Sequence, residues 1–384
     1  MKTGTQRDAV AELTTSVSDA VVEAGIDAVG VAPVERFMST LQDLRERRTA
    51  GLHGGMAFTY RNPERSTDPG RALAGARSLV VGAISYLRAG PDGQPGAAMV
   101  APGRIARYAW DDFYGKLRDG LEAGATVLRS HGYKAVVVAD SNALVDREAA
   151  KRAGIGWYGR NANLLLPGCG SWFVLGSVVT DADLAGSGPV EPGCGTCTRC
   201  ISACPTGAIV APGVVDARRC LAWLVQAPGP IPWDYRVALG DRIYGCDDCQ
   251  EVCPPNLAAG RRSVQPAGPQ ARPVVDTVMF LDDDDAAVLS AAAGWYVQGR
   301  EARYLRRNAL VVLGNVGDPS DPRVIRVVVA ALNHRDPLVR AHAVWAAARL
   351  DRPELAEEIA TLEADPMVIY ELSRLPDVPR RVDR

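Results

Sequence analysis

The stretch CGTCTRCISACP (residues 194–205) holds four cysteines at the spacing C-x2-C-x2-C-x3-C-P, and CDDCQEVCP (residues 246–254) adds three more. In bacterial iron–sulfur proteins this spacing wraps three thiolates around one [4Fe–4S] cube, while the fourth thiolate turns toward a second cube. Of the nine cysteines, only Cys169 lies outside the segment from Cys194 to Cys253. The pattern therefore predicts two [4Fe–4S] clusters in the middle third of the chain.

The two cysteine runs predict a reciprocal exchange of ligands. One cluster is assigned to Cys194, Cys197, Cys200 and Cys253. The second run is one cysteine short and Cys220 is available, so the other cluster takes Cys204, Cys220, Cys246 and Cys249. Zinc, disulfides and purely structural clusters are the alternatives. Zinc usually takes two separated ligand pairs, and disulfides are rare in the cytosol. Cys169 is expected to be a free thiol.

Composition indicates a globular protein of two or three domains. The chain has 384 residues, 47% of them apolar and 23% charged, and a formal net charge of −2. No global basic excess therefore indicates nucleic acid, although a local patch could exist. The N-terminal segment has no apolar signal region, and no apolar run approaches the roughly 18 residues that cross a bilayer. We expect a cytoplasmic protein without membrane contact.

The segment before the cysteines predicts an α/β (α+β) domain over residues 1–185. Val10, Leu13, Val17 and Val21 form one stripe of an N-terminal amphipathic helix. Short runs rich in β-branched residues predict strands at 78–85, 134–140 and 171–180. Helical patterns cover 112–132 and 142–154, the second with Asp140 or Ser141 as its N-cap.

The rest of the chain predicts three further parts. A ferredoxin-like domain with two [4Fe–4S] clusters covers 186–258, and a Pro- and Gly-rich linker follows at 259–275. Residues 276–384 predict an all-α domain whose helices are separated by Asp-Pro turns. RRNALVVLG (306–314) and VRAHAVWAA (339–347) are alike and stand about 33 residues apart, which is typical of HEAT-like repeats.

Several segments resemble the epoxyqueuosine reductase family, although no dinucleotide-binding or P-loop motif is present. The likeness extends from about residue 10 to 350 and is clearest in HGGM (53–56), RYAWDDFYGK (107–116), GWYGRNANLL (156–165), DARRCLAWL (216–224), DRIYGCDDCQEVCP (241–254) and RRNALVVLGN (306–315). It implies a cobalamin-dependent oxidoreductase that reduces epoxyqueuosine in the wobble position of a tRNA. The cobalamin would be reduced through the two clusters by an external donor such as a flavodoxin or ferredoxin system. The resemblance also implies a monomer.

The same resemblance implies roles for individual residues. Asp140 matches the family's proton donor, and Tyr114 is a possible second catalytic residue. The residues that correspond to cobalamin contacts are Arg61, Ala106, Asp140, Asn161, Asn163, Gly170, Ser171, Cys246 and Asp247. None of the four histidines has the context of a lower axial cobalt ligand. The alternative for Asp140 is a helix N-cap, and Gly and Asn in such loops commonly mean turns.

The chain departs from the family pattern beside Tyr114. Phe113 and Gly115 stand where the family has Asp and His. This change affects the predicted substrate face more than the clusters. A paralogue acting on another electrophile, an electron-transfer or cobalamin-carrier protein, and a HEAT scaffold with vestigial clusters are therefore the alternative functions.

Four arginines near the start of one C-terminal helix are the candidate tRNA contacts. Three of them are spaced to share a helix face and could meet phosphates. The four are Arg300, Arg303, Arg306 and Arg307. The alternative is a solvated or internally paired face, because Glu301 and the acidic run at 282–285 are close in sequence.

Overall fold

The computed structural model describes residues 4–90, 99–262 and 264–380, so the ends of the first and last predicted domains (1–3 and 381–384) lie outside the described residues. In chain order the described strands are β1 (Ala28–Pro33), β2 (Ser78–Ser85), β3 (Pro102–Ile105), β4 (Ala135–Ala139), β5 (Trp157–Tyr158), β6 (Leu164–Leu165), β7 (Phe173–Thr180), β8 (Ile209–Ala211), β9 (Val214–Val215), β10 (Arg242–Tyr244) and β11 (Val274–Asp276). The helices up to the second cysteine run are α1 (Gly4–Glu23), α2 (Met38–Thr49), α3 (Pro63–Ser66), α4 (Phe113–Ser130), α5 (Asp146–Arg152), α6 (Arg199–Ser202), α7 (Leu221–Leu224), α8 (Trp233–Leu239), α9 (Asp248–Glu251) and α10 (Pro254–Gly260). The later helices are α11 (Thr277–Asp282), α12 (Asp285–Ala291), α13 (Ala302–Val316), α14 (Pro322–Leu332), α15 (Pro337–Arg349), α16 (Glu354–Glu357) and α17 (Pro366–Ser373).

The described residues form two compact units, each built from separated segments of the chain. The α/β unit consists of residues 4–89, 112–218, 248–262 and 264–266. The helical unit consists of residues 90, 99–111, 219–247 and 267–380. These units do not follow the linear boundaries at 185, 258 and 275, which stay a prediction. Between α10 and β11 the described residues contain no helix or strand.

The α/β unit is built on a four-stranded antiparallel sheet of order β1-β2-β7-β4. Ser78 pairs with Thr180, and Ser85 pairs with Phe173 at the other end of the same ladder. The strands β2, β4 and β7 confirm the three predicted from the sequence. Both central strands are buried almost throughout, which fits their near-continuous apolar sequences.

Helices cover both faces of this sheet. Leu121 of α4 lies against Gly82 and Gly176 on one face, and successive strand residues point to opposite faces. The other face packs against α5 through a core that includes Leu79, Val81, Leu175 and Ala149. The helix α1 lies on α4 and buries Val17 and Val21 of the predicted stripe, while Val10 and Leu13 are half-buried.

One helix begins later than the sequence pattern suggested. The predicted helix 142–154 starts at Asp146, with Val145 as its N-cap residue and no side-chain cap. Ser141 instead accepts a hydrogen bond from the Ala143 amide (3.2 Å) and closes a turn, and Asp140 has a left-handed backbone with φ 49°. The predicted N-cap role of Asp140 and Ser141 is therefore wrong, because a local turn separates both residues from the helix.

The helical unit confirms the all-α C-terminal domain. The helices α14, α15 and α17 each begin with proline, preceded by an aspartate whose carboxylate accepts a hydrogen bond from the helix; these caps are Asp321, Asp336 and Asp365. An aspartate cap followed by proline is a strong helix start. The repeat helices α13 and α15 pack so closely that a Cβ on Gly314 would come within 2.8 Å of the Trp345 ring. No helix in the described parts of the chain is both long and apolar enough to cross a membrane.

Candidate functional site

The first cysteine run forms a loop and one helical turn in the α/β unit. Cys194 and Cys197 are half-buried in a largely exposed loop, whereas Cys200 is buried inside α6. Cys204 follows α6, and its Sγ accepts a hydrogen bond from the Ala208 amide (3.2 Å). Amide hydrogen bonds to sulfur are one of the means by which proteins tune iron–sulfur clusters.

The second run is arranged around two short helices. Cys246 follows β10, Cys249 lies in α9, and Cys253 is the N-cap residue of α10 with Pro254 in the first helical position. Cys220, the residue that was assigned to complete the second cluster, is the N-cap residue of α7. Each of these cysteines therefore sits at or beside the start of a short helix.

Four thiols of the α/β unit interact with one another. The pKa of Cys253 is raised to about 11, mainly by burial and to a lesser extent by the neighbouring Cys194, Cys200 and Cys197. Burial also raises the pKa of Cys200, with the same two neighbours, Cys194 and Cys197, as further causes. Four cysteine sulfurs brought together in a desolvated site would ionise together only beside a cationic centre, so this donor set fits an iron–sulfur cluster.

In the described part of the chain no disulfide joins any of the nine cysteines, and Cys169 is exposed. Within residues 4–90, 99–262 and 264–380, no three His, Cys, Asp or Glu side chains are close enough to hold one metal ion. A [4Fe–4S] cube binds its four thiolates through four separate irons, so it spreads them more widely than a single ion does. The cluster prediction is unaffected by this finding.

A buried polar network fixes the second cysteine run to the sheet domain. Asn256 accepts a hydrogen bond from the Ser171 amide (2.6 Å) and donates to the Gln250 carbonyl (2.8 Å). Gln250 donates to the Tyr86 hydroxyl (3.0 Å) and to the Ser171 carbonyl (3.0 Å). Gly170 has φ 77°, and a Cβ there would come 2.0 Å from the Asn256 Oδ1. The sequence predicted Gly170 and Ser171 as site residues but not Tyr86, Gln250 or Asn256. Of these three, only Asn256 had a sequence signal, the PPN run after Cys253.

The two predicted asparagines lie beside the same run. Asn161 donates to the Cys249 carbonyl (3.3 Å), and its own Oδ1 accepts from the Asn163 amide (3.2 Å). Arg147 donates to the Asn163 side chain (3.3 Å). The structure therefore brings Asn161, Asn163, Gly170 and Ser171 together around residues 249–256.

Ala106, Cys246 and Asp247 lie together in the helical unit. The Ala106 amide donates to the Tyr244 carbonyl (2.9 Å), and the next amide, of Arg107, donates to the Asp247 carboxylate (2.8 Å). Asp247 is buried. Arg61 is exposed after the HGGM turn, and among the described residues its side chain forms no hydrogen bond to the other predicted contacts.

Asp140 follows β4 at the edge of the sheet. Its left-handed backbone, φ 49°, turns the chain sharply away from the strand. The residue is partly open to solvent, yet the protein around it desolvates the carboxyl and raises its pKa, an effect that Arg118 opposes. A carboxyl with a raised pKa stays protonated nearer to neutral pH and can donate a proton.

Asp146 is a second carboxyl near Asp140 that sequence reasoning did not assign to the site. Its Oδ1 is buried without a hydrogen-bond partner. Burial raises the pKa of Asp146 well above its usual value, and the charge of Asp140 raises it further. The only sequence signal was the pair of carboxylates in DSNALVDR (140–147).

The departure at Phe113 and Gly115 has a local structural explanation. Phe113 is buried against Tyr86, and the cations of Arg88 and Lys116 lie 5.2 and 5.4 Å from the centre of its ring. Asp112 caps α4 by accepting the Gly115 amide (2.7 Å), and a Cβ on Gly115 would lie 2.2 Å from the same carboxylate. Tyr114 is half-buried in the first turn of α4. A side chain at position 115 would therefore displace the cap.

The predicted arginine face is wrong for Arg306 and Arg307, two of the three arginines inside α13. Arg307 is completely buried and donates to the carbonyls of Ala227 (2.7 Å) and Leu224 (3.1 Å). Arg306 is buried and donates to the Phe280 carbonyl (2.8 Å) and to Asp285 (2.9 Å). Guanidinium groups satisfied by buried carbonyls cannot meet phosphates.

The other two arginines do not share a helix face either. Arg300 precedes α13, has φ 53°, and donates to the Leu289 carbonyl (3.0 Å). Arg303 is 38% exposed and pairs with Glu301 at 2.9 Å, which is the internally paired alternative considered above.

Comparison with known proteins gives concordant matches. Residues 193–256 match the 4Fe-4S double cluster binding domain, and residues 295–368 match HEAT repeats. The epoxyqueuosine reductase of Vibrio cholerae is 34% identical over 87% of this chain and 91% of its own length. That of Bacillus anthracis is 30% identical over 91% of this chain and 93% of its own length.

Solved structures agree with these relatives. A crystal structure of epoxyqueuosine reductase with an epoxyqueuosine-modified tRNA-Tyr stem loop matches with a TM-score of 0.86 at 26% identity, covering 96% of this chain and 98% of the other. The epoxyqueuosine reductase structure from Streptococcus thermophilus matches with a TM-score of 0.85 at 26% identity, covering 94% and 98%.

Proposed function

The chain belongs to the epoxyqueuosine reductase family of oxidoreductases, and we propose that it reduces epoxyqueuosine to queuosine in the wobble position of a tRNA. The observation that carries the proposal is the eight-cysteine block, which matches the double cluster domain and is bound to the sheet domain through Ser171 and Asn256. The comparisons do not favour the alternative of another electrophile.

The proposed reaction consumes two electrons and two protons for each epoxide. Both carbon–oxygen bonds of the epoxide break, a carbon–carbon double bond forms, and the oxygen leaves as water. One [4Fe–4S] cluster passes one electron at a time, so each turnover needs two electron deliveries. We assign the first cluster to Cys194, Cys197, Cys200 and Cys253 and the second to Cys204, Cys220, Cys246 and Cys249, as the spacing predicts.

We further propose cobalamin as the group that receives these electrons. When bound, it would supply a strongly reducing cobalt centre for the epoxide carbon. In the α/β unit the residues that would hold it are Arg61, Asp140, Asn161, Asn163, Gly170 and Ser171. In the helical unit they are Ala106, Cys246 and Asp247.

The side chains present fit a corrin bound without a histidine from the protein. Asn163 offers a half-buried side-chain amide, and the buried Asn161, Gly170 and Ser171 would support the corrin site through the internal hydrogen bonds and packing described above. His342 is buried, accepts from the Ile231 amide through Nε2 and therefore donates to the Leu338 carbonyl through Nδ1. Both of its nitrogens are used, so it cannot serve as a ligand.

Asp140 is the proposed proton donor. Opening of an epoxide leaves a negatively charged oxygen, which a protonated carboxyl can neutralise. The exposed position of Asp140 gives access to a substrate, and its raised pKa keeps a protonated fraction available. Tyr114, in the first turn of α4, is the other residue to which the resemblance assigns a catalytic role.

The tRNA is the proposed macromolecular substrate, supported by the related structure that holds a modified stem loop. With Arg306 and Arg307 buried, Arg300 and Arg303 are the members of the predicted arginine set that could still contact it. We also propose a cytoplasmic monomer that takes electrons from an external flavodoxin or ferredoxin system.

Anaerobic turnover tests the proposed function. The reconstituted protein with cobalamin, a strong reductant and tRNA carrying epoxyqueuosine should yield queuosine when the nucleosides are analysed. Failure to form queuosine by protein that retains its full iron content and binds cobalamin would contradict the proposal.

A further inference from the structure

A surface groove lies in the α/β unit between α6 and the turn from α9 to α10. It is lined by Arg199, Ser202, Ala203, Glu251, Val252 and Leu257. None of these residues was assigned to the cofactors or to the substrate.

The groove lies directly beside the thiols of the first proposed cluster. Arg199 immediately precedes Cys200, and Val252 immediately precedes Cys253. The loop that holds Cys194 and Cys197 is largely exposed, with Gly195, Thr196 and Thr198 open to solvent. A cluster bound by these four cysteines would therefore lie close to the protein surface, where a one-electron partner could approach it.

The groove combines an apolar floor with positive charge. Leu257 is 41% exposed and, with Val252, contributes the apolar part of the groove lining. Arg261 is the C-cap residue of α10, and its amide donates to the Leu257 carbonyl (3.2 Å), so the two residues are one helical turn apart. Within the described residues, neither Arg199 nor Arg261 has an ion-pair partner.

Glu251 contributes one carboxylate to the lining, and it already has a partner within the chain. Arg160, whose guanidinium donates to the Gly195 carbonyl (2.7 Å), adds a further cation at the cysteine loop. The surface around the first cluster therefore offers three guanidinium groups and a small apolar contact. A partner that fits it presents carboxylates around an apolar, redox-active centre.

We propose that this groove is the docking site of a small acidic one-electron carrier protein, which delivers electrons to the first cluster. The proposal rests on the proposed function. In each encounter the carrier loses one electron and the cluster core gains one, so two encounters supply the two electrons of one epoxide reduction. Redox partners of this kind associate through small interfaces, and electrostatic attraction steers their encounter. The limited size of the groove suits such an interface.

The test follows cluster reduction by stopped-flow absorbance, without tRNA, under anaerobic conditions. Holoenzyme is mixed either with reduced flavodoxin or with dithionite, which is too small to need a docking surface. The groove variants are Leu257→Glu and the double variant Arg199→Glu/Arg261→Glu. The matched controls are Met38→Glu, which changes an exposed apolar side chain on α2, and Arg7→Glu on α1.

We expect the groove variants to be reduced by flavodoxin about tenfold more slowly at low salt, with the difference shrinking as ionic strength rises. Reduction by dithionite and the iron content should match the unchanged protein, and both controls should behave normally with either reductant. Unchanged rates with flavodoxin would overturn the proposal, as would equal losses with both reductants.

A tRNA stem loop that blocks flavodoxin reduction competitively, and that loses affinity in the groove variants, would show that the groove binds nucleic acid instead. Since no epoxide is present, these rates are independent of whether the protein forms queuosine. Failure of the proposed function is therefore seen separately, in the nucleoside assay.

Discussion

At the residue scale, a substitution of Asp140 can remove the proposed proton donor while the left-handed turn at this position is kept. Its φ of 49° is a conformation that Asn adopts at least as readily as Asp. Asp140→Asn should therefore keep the turn after β4 while removing the acidic proton. We expect queuosine formation to fall by roughly 10²–10⁴-fold, the usual contribution of general acid catalysis.

The measurement is single-turnover nucleoside analysis with iron content and melting temperature as controls. Arg118→Gln is a useful companion, because Arg118 opposes the raised pKa of Asp140. Its loss should raise that pKa further and move the alkaline decline of activity to higher pH. Full turnover in Asp140→Asn would exclude the carboxyl as the proton donor.

Asp146 is expected to weaken the fold at neutral pH. Its folded-state pKa lies above the unfolded value, so the folded protein binds the proton more tightly. Stability is therefore highest below the unfolded pKa, and it declines as the pH rises toward the folded pKa. A charge at the start of a helix gains only about 0.3–1 kcal/mol, less than the cost of burying an unpaired charge.

Asp146→Asn should consequently stabilise the protein by about 1–3 kcal/mol at pH 7 and by much less near pH 4. Urea unfolding at both pH values measures the difference. Asp119→Asn, an exposed change on α4, serves as the control. A destabilised Asp146→Asn protein at pH 7 would show that the carboxylate has a function in the folded state that outweighs its burial.

The contrast between Asp140 and Arg307 shows where sequence reasoning reaches its limit for single residues. Asp140 stands in a short motif whose local order already indicates a polar group at a strand end. Arg307 lies at a spacing equally compatible with a solvent face, and only the folded chain brings four carbonyls around its guanidinium. Burial lowers its pKa to about 9, which still leaves it charged at neutral pH. Charge alone therefore does not reveal exposure.

At the element scale, local signals predicted the strands β2, β4 and β7 and the helices α1, α4 and α5, although α5 begins later than predicted. The Asp-Pro caps of α14, α15 and α17 and the apolar runs of β2 and β7 are decided within a few residues. The start of α5 is different, because Ser66 accepts the Val145 amide through its carbonyl (2.9 Å) and anchors the preceding turn. That contact joins residues far apart in sequence.

Within the helical unit a buried ion pair joins α8 to α17. Arg236 of α8 donates two hydrogen bonds to Glu371 of α17, at 2.8 and 2.7 Å, and both side chains are at most 3% exposed. The guanidinium also lies 5.2 Å from the Trp233 ring centre and 5.8 Å from that of Trp345. Removing one partner leaves a buried charge without compensation.

Glu371→Gln should therefore destabilise the helical unit by about 3–5 kcal/mol. The double variant Arg236→Met/Glu371→Leu should recover a large part of that loss, because it removes both charges. Glu354→Gln disrupts the exposed Arg352–Glu354 pair and should change little, since exposed pairs are weak. Tryptophan fluorescence in denaturant measures the free energy of unfolding of each variant. Equal losses of stability in Glu371→Gln and Glu354→Gln would contradict this interpretation.

At the scale of the whole molecule, the order of motifs along the chain is not the order of the compact units. In the helical unit β3, at residues 102–105, pairs with β10 and β11, which follow more than a hundred residues later. The sequence of residues 102–105 gives no sign of these partners, because strand pairing depends on the whole fold. The cysteine block was predictable for the opposite reason: its ligand spacing is local and chemically demanding.

That local chemistry makes iron content the sharpest test of the ligand assignment. Cys253 is the N-cap residue of α10, and serine is a favourable residue at that position. Cys253→Ser should therefore keep the helix start and remove mainly a cluster ligand. We expect the reconstituted protein to hold about eight irons and the variant to hold about four, as for loss of one of two [4Fe–4S] cubes.

Cys169→Ser, at an exposed thiol outside the block, is the matched control and should retain about eight. Iron and sulfide analysis together with a thermal melt distinguishes ligand loss from unfolding. Full iron in Cys253→Ser, or an equal loss in Cys169→Ser, would refute the assignment.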